Sequence, residues 1–179
     1  MNEHGEQHKP YFAEHLKDCY FEDEKEHYST LSDGEKTKLM ISEVNWQKRR
    51  NIRSATELGV KVMVGDICYI DFGKAYVYEV GYQHFGLIIS FHHGKAFVVP
   101  MTSNSSTYAL AYDEYENPTG REHLMRIGLV PGLVKPSVLF LNDAKFINTA
   151  RIIDVKAHID ADSMMFQKIV RRLRACIGI

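Results

Sequence analysis

The hydrophobic pattern changes character near residue 60. Within residues 65–103 three short apolar runs follow one another: 67–72 (ICYIDF), 85–90 (FGLIIS) and 95–101 (KAFVVPM). Each is rich in β-branched and aromatic residues and is bounded by Gly or polar residues, which predicts strands joined by loops. The second and third are separated by FHHGK, where Gly94 can take the positive φ of a hairpin turn. Further on, HLMRIGLV, SVLFL and AKFINTARIID predict more strands, with Asn142-Asp143 and Asn148-Thr149 as turns or bulges. YALAY (108–112) predicts a short strand inside an otherwise turn-rich stretch. Residues 161–176 predict a final helix, capped by Asp160 or Asp162, with Met165, Phe166, Ile169, Val170 and Leu173 as its buried stripe.

Before residue 60 the spacing is helical. Phe12, Leu16, Cys19 and Tyr20 recur at helical intervals and predict a helix over 11–28, with the acidic run EDEKE (22–26) as a solvated face. Ser32-Asp33-Gly34-Glu35 reads as a capping box, which predicts a second helix to about Thr56. Its apolar set Leu39, Met40, Ile41, Val44, Trp46 and Ile52 is expected to pack on the β-rich part or on a partner. Its basic run Lys48, Arg49, Arg50 and Arg53 is expected on the exposed face. Residues 1–10 are polar and read as a disordered tail, and the pair His4 and His8 as part of it and not a metal site.

Many short strands with one closing helix predict a mainly β, α+β fold built on a small, strongly bent SH3-like barrel. Residues 1–58 form a helical extension and residues 59–179 the barrel domain. With 179 residues and 45% apolar content the chain can build a real core. The net charge of -1 does not announce a polyanion partner for the whole chain. Residues 61–179 carry 13 Lys and Arg against 11 Asp and Glu, whereas residues 1–60 carry 9 against 12, so the anion-binding part is expected in the barrel. No apolar run spans a bilayer, and the opening MNEHGEQHKP has no signal-peptide core. Cys19, Cys68 and Cys176 are odd in number and unevenly spaced, which fits a reducing cytoplasm, with Cys68 and Cys176 as buried small hydrophobes.

Four motifs stand in order along the β-rich part. Gly65, Asp66, Ile67, Asp71 and Phe72 form a GD-I-x-x-x-D-F strand. Glu79 and Gly81 lead to His84-Phe85 and the run GLIIS. Pro100, Met101, Thr102 and Ser103 close the next run, and PGLVKPSVLFLNDAKFINTARI (131–152) carries Lys135, Ser137 and Arg151. In this order and spacing, residues 60–178 resemble the MazF/PemK family of toxin endoribonucleases. The family has Arg-Pro where this chain has His84-Phe85.

The resemblance implies cleavage of single-stranded RNA without a metal or other cofactor, giving a 2',3'-cyclic phosphate and a 5'-hydroxyl. It also implies a homodimer with RNA across the subunit interface, and an antitoxin protein that blocks that groove. Such cleavage needs a group that exchanges protons with the reacting oxygens and donors for the charge growing on the phosphoryl oxygens. His84 is the candidate proton carrier: its position matches the family's Arg, but an imidazole titrates at about 6.5 whereas a guanidinium keeps its proton. Thr102 matches the family's Thr as a hydroxyl donor. Lys74, Tyr82, Gln83, Ser103, Asn104, Ser105 and Lys135 are the candidate RNA contacts, and Tyr76 and Tyr78 can stack on unpaired bases.

Competing readings fit the same residues. His84 and Thr102 can be ordinary strand-end residues, the tyrosines packing residues, and the serines plain loop residues. A barrel without the family's Arg fits a non-catalytic toxin that binds DNA gyrase. It also fits an SH3-like interaction module whose functional part is the helical extension. His92-His93 and the cluster Asp113, Glu114 and Glu116 read as a turn and a solvated loop, and no P-loop, Rossmann fingerprint, CxxC or GxSxG motif occurs.

Overall fold

The computed structural model describes residues 8–178; residues 1–7 of the expected N-terminal tail, His4 included, lie outside the described residues, and residues 8–10, expected in that tail, are helical. By contact the chain forms two compact units, 1–40 and 41–179. The first holds α1 (His8–Thr30) and the start of α2 (Asp33–Arg49). The capping box forms as its sequence predicts. The Ser32 backbone N–H donates to Glu35 Oε2 at 2.9 Å and the Glu35 N–H donates to Ser32 Oγ at 3.3 Å. The Ser32 hydroxyl, donating to the same Oε2 at 2.6 Å, and then the Ser32 N–H hold the Glu35 carboxyl below the usual carboxylate range. The acidic run lies mid-α1 and is largely exposed.

The second unit is a mixed eight-stranded sheet. Its strands are β1 (Asp66–Asp71), β2 (Gln83–His92), β3 (Lys95–Thr102), β4 (Ala111–Tyr112), β5 (Arg121–Gly128), β6 (Ser137–Phe140), β7 (Lys145–Asn148) and β8 (Ile152–His158). They lie in the order β4-β5-β6-β3-β2-β1-β8, with β7 also paired to β3. Only the β4–β5 pair is parallel. This is the mainly β fold with helices that the sequence pattern predicts. One edge of β3 serves two strands in turn: Val98 pairs with Lys145 and Met101 with Leu139. Pro100 stands in the gap between these pairings, where its missing N–H interrupts neither ladder.

The alternation along the strands fills two main cores and a smaller cluster of Ala111, Leu124 and Val138. Ile67, Leu87, Val99, Met101 and Leu139 meet Phe166, Ile169 and Leu173 of α4 (Met164–Ile177) on one face. Cys68, Ile70, Ile88, Val98, Ile147 and Ile152 form the second core on the other face. Burial pushes the Cys68 thiol up to about 12, as suits an inert core residue. Cys176, by contrast, is exposed.

Four local expectations are corrected. The cap of α4 is Ser163, whose Oγ accepts from Phe166 N–H, and not Asp160 or Asp162. Residues Tyr108–Leu110 end a short helix, α3 (Ser105–Leu110), because Asn104 caps it through Ser106 and Thr107 N–H, and only Ala111–Tyr112 is strand. The second helix ends at Arg49, well before Thr56, and a separate 3-10 turn follows at Ala55–Leu58.

The fourth correction concerns how the end of α2 is fixed. Met40, Ile41, Val44 and Trp46 are exposed. The docking groups at this end are polar: Ser42, Asn45 and Arg49. Arg49, expected on the solvated face, donates to the Ala150 and Ile152 carbonyls at 3.1 and 2.8 Å. Leu39 of the same set is buried as expected, and the charge-assisted bonds of Arg49 to backbone acceptors help fix the end of α2.

Candidate functional site

The site is built at one end of the β1–β2–β3–β6 ladder. In β2–β3 the last paired residues are Phe85 and Met101. Antiparallel register puts His84 and Thr102 one step further on at the same end. Side chains alternate between faces, and Phe85 and Met101 belong to the core under α4. His84 and Thr102 therefore share the opposite face. On β1 His84 is paired with Ile70. On β6 Thr102 is paired with Val138, so Lys135, three residues before it, lies in the loop entering the same end. The β1–β2 loop, residues 72–82, emerges there too.

His84 is half-buried, and its Nδ1 lies 2.7 Å from the Gly81 carbonyl. A carbonyl only accepts, so this contact requires Nδ1–H, and in the neutral ring the lone pair then sits on Nε2. The Thr102 hydroxyl oxygen accepts from Asn104 N–H at 3.2 Å, and that leaves its own proton to be donated elsewhere. On this shared face the geometry sets an imidazole nitrogen beside a hydroxyl donor.

The other sequence candidates divide. Ser103 and Ser105 are exposed beside Thr102, and Lys135 is exposed with its carbonyl accepting from Ser137 Oγ at 3.2 Å. Asn104 is also exposed, but its Oδ1 is spent on the N-terminus of α3. Lys74 lies 3.7 Å from Glu43 Oε1 as an exposed ion pair. Tyr82 forms the neck of the β1–β2 loop, its N–H donating to Gly73 O and its carbonyl accepting from Phe72 N–H, at a positive φ of 55°. Gln83 is buried, and its amide donates to Ser42 Oγ at 2.9 Å and to Asp71 Oδ1 at 3.3 Å. Tyr76 and Tyr78, by contrast, are 87% and 99% exposed at the loop tip, where a flat partner can reach them.

Two groups whose long-range contacts the sequence pattern did not indicate hold this end in place. The first centres on the buried carboxylate of Asp71. It accepts from Ser42 Oγ at 2.6 Å, Asn45 Nδ2 at 2.9 Å and Gly73 N–H at 3.1 Å, besides Gln83. Arg151 adds bonds to the Asp71 and Phe72 carbonyls, both at 3.1 Å. The second is Asp143, whose Oδ2 accepts from Val80 N–H at 2.6 Å while Oδ1 meets Lys145 Nζ at 2.7 Å. The Asn142-Asp143 pair reads as turn chemistry in sequence, and nothing local distinguishes a turn Asp from one that reaches across the sheet. Among the described residues no group of three or more His, Cys, Asp or Glu gathers as metal ligands, and no helix is long and apolar enough to cross a membrane.

No protein-family model matches the chain, and no curated protein matches it. Among solved structures it is similar to MazF from Deinococcus radiodurans, at 15% identity and a TM-score of 0.49, over 67% of this chain and 99% of that one. It is similar to the Mycobacterium tuberculosis toxin MazF-mt6 at 13% identity and a TM-score of 0.44, over 64% and 97%. An endoribonuclease from a mycobacterial species, solved in complex with its cognate antitoxin, is similar at 13% identity and a TM-score of 0.46, over 66% and 97%.

Proposed function

We propose that this protein is a cytoplasmic, metal-independent endoribonuclease that cleaves single-stranded RNA and acts as the toxin of a type II toxin–antitoxin pair. The observation that carries the reading is the β2–β3 register, which gives His84 and Thr102 one face at one end of the ladder. The motif order Gly65 to Ser103, with Lys135 and Arg151 after it, supports the family assignment.

In this reading the neutral His84 accepts the proton of the ribose 2'-hydroxyl at Nε2. The 2'-oxygen attacks the adjacent phosphorus, and the bond from phosphorus to the 5'-oxygen breaks. The 5'-oxygen leaves with a proton from water or from the protonated His84, which restores the ring. The products are a 2',3'-cyclic phosphate and a 5'-hydroxyl. Thr102 Oγ1–H donates to a phosphoryl oxygen as charge builds there. Lys135 and Lys74 supply charge for the flanking phosphates, Ser103, Asn104 and Ser105 line the strand's path beside Thr102, and the exposed tyrosines of the β1–β2 loop offer stacking faces for unpaired bases. Tyr82 and Gln83 serve through the loop neck and strand start that carry His84. A homodimer with RNA across the subunit interface, and an antitoxin that covers the same groove, complete the proposal.

The purified full chain should cut a single-stranded RNA in excess EDTA and leave 2',3'-cyclic phosphate and 5'-hydroxyl ends, read by end-specific labelling. Intact RNA under these conditions, or ends of the opposite polarity, would reject it. Growth arrest with intact RNA and damaged DNA would favour the gyrase-binding alternative.

A further inference from the structure

We propose that Asp143 is a positioning residue for His84, acting through the backbone of the β1–β2 loop. The inference rests on the reading of His84 as the proton carrier and adds to it the part that fixes the imidazole.

The chain of contacts is short. Asp143 is largely buried and lies on the 3-10 turn between β6 and β7, far from the β1–β2 loop in sequence. One carboxylate oxygen accepts from Val80 N–H at 2.6 Å. The other is held by Lys145 Nζ at 2.7 Å, and that ammonium also lies over the Phe72 ring at 5.8 Å. The residue after Val80 is Gly81, whose carbonyl takes the His84 Nδ1 proton. On its other side, Tyr82 N–H donates to Gly73 O at 2.6 Å. The Gly81 carbonyl and the Tyr82 N–H share one rigid peptide plane. The carbonyl that receives Nδ1–H is therefore bracketed, by Gly73 after it and by Asp143 before it. The backbone at Gly81 packs closely on the start of the loop: a Cβ there would stand 2.7 Å from the Ala75 Cβ.

Fixing this carbonyl fixes the tautomer. While Gly81 O occupies the Nδ1 side, a neutral His84 carries its lone pair on Nε2. Without the Asp143 tether the loop's approach to His84 loosens, the Gly81 carbonyl no longer faces Nδ1 continuously, and the Nε2–H tautomer gains population. That tautomer has no lone pair where the reaction needs one. Lys145 Nζ holds the other carboxylate oxygen and so aims Asp143 at Val80, and its loss should act in the same direction and less strongly.

The test uses the full-length protein with ¹⁵N-labelled histidine. In wild type above the His84 titration, the Nδ1–H form should dominate the ring nitrogen spectrum. Asp143→Ala should give a mixed tautomer signal and lower kcat by about tenfold to a hundredfold, the range for a misplaced reacting group, with KM for RNA little changed. Asp143→Asn, whose Oδ1 can still accept from Val80 N–H, should restore most of the Nδ1–H signal and of the rate. If Asp143→Ala does not fold, Lys145→Met takes its place, with a smaller shift in the same direction expected. An unchanged tautomer signal in the folded variant overturns the proposal. A shifted tautomer with wild-type kcat overturns it as well. Wild-type cleavage by His84→Gln would instead overturn the proton-carrier reading, and that result is obtained without any Asp143 variant.

Discussion

The β1–β2–β3 ladder is closed in two different ways at its two ends. At one end β2 passes to β3 through His93 and Gly94, with φ of 44° and 77°. Two consecutive left-handed residues make the tight turn that matches strand twist, and no distant residue is needed. At the other end β1 passes to β2 through residues 72–82, and this loop is fixed from outside. Asp71 is held by Ser42 and Asn45 of α2, Val80 by Asp143, and the Asp71 and Phe72 carbonyls by Arg151. The candidate site sits at this second end. A loop fixed by several distant side chains can set a ring to within the tolerance of a reaction, and each of those side chains is then a point where the site can be disturbed.

The contrast can be broken most forcefully by removing the outside supports. A fragment of residues 59–179 should keep a β-rich circular dichroism spectrum, since all eight strands lie within it. It should nevertheless unfold well before a 41–179 fragment, by about 3 kcal/mol or more. It lacks Ser42, Asn45 and Arg49, and a buried donor or acceptor left without its partner costs about 1–3 kcal/mol. Coincident denaturant curves for the two fragments would show that the polar docking of α2 contributes nothing.

A smaller lesion is Asp71→Ala, which takes the carboxylate acceptor from Ser42, Asn45 and the Gly73 N–H, while Gln83 keeps its bond to Ser42 Oγ. Partial entry of water should limit the loss to about 2 kcal/mol, and cleavage should fall with it because Gln83 adjoins His84. Wild-type stability in this variant would contradict the network's role.

At the other end, Gly94→Ala places a Cβ at a φ of 77° with open space around it. The expected loss is about 1 kcal/mol, from backbone strain alone, with cleavage by the folded protein unchanged. A large loss of cleavage there would erase the distinction between the ends.

The smallest effect belongs to another local device, the capping box of α2. Glu35 has its folded carboxyl below the ordinary range, owing first to the Ser32 side-chain bond and then to the Ser32 backbone bond. Such a group contributes stability that is present above its unfolded pKa and is lost as pH falls through the folded value. Glu35→Gln should therefore slightly reduce helix content at neutral pH and make no difference in strong acid. A difference that grows with acidity would have the wrong sign.

The same contrast explains what the sequence could tell. Short-range devices were legible: the Gly94 turn, the Ser32–Glu35 box and the apolar alternation of the core strands each carry their signal within a few residues. The closing helix was legible through Phe166, Ile169 and Leu173 of its stripe, though Met165 is exposed and the cap is Ser163 and not a neighbouring Asp. The α3 helix was missed because the apolar content of YALAY outweighed the Asn104 cap before it. Long-range polar contacts were not legible. Asp143 reads as a turn residue and Arg49 as a solvated one, because nothing near them in sequence indicates Val80 or the Ala150 carbonyl. His84 and Thr102 were found by motif order, whereas their common face required the strand register.

The most direct test of the account is the rate of single-stranded RNA cleavage, in EDTA and across neutral pH, for wild type, His84→Gln and His84→Arg. Proton transfer by His84 predicts a wild-type rate that follows a group titrating near neutrality. It also predicts at least about a hundredfold loss in His84→Gln, the lower end for general acid–base catalysis, with RNA binding little changed, and no rescue by His84→Arg. Cleavage by His84→Arg at or above the wild-type rate would show that the position acts through charge, and would contradict the proton-carrier role.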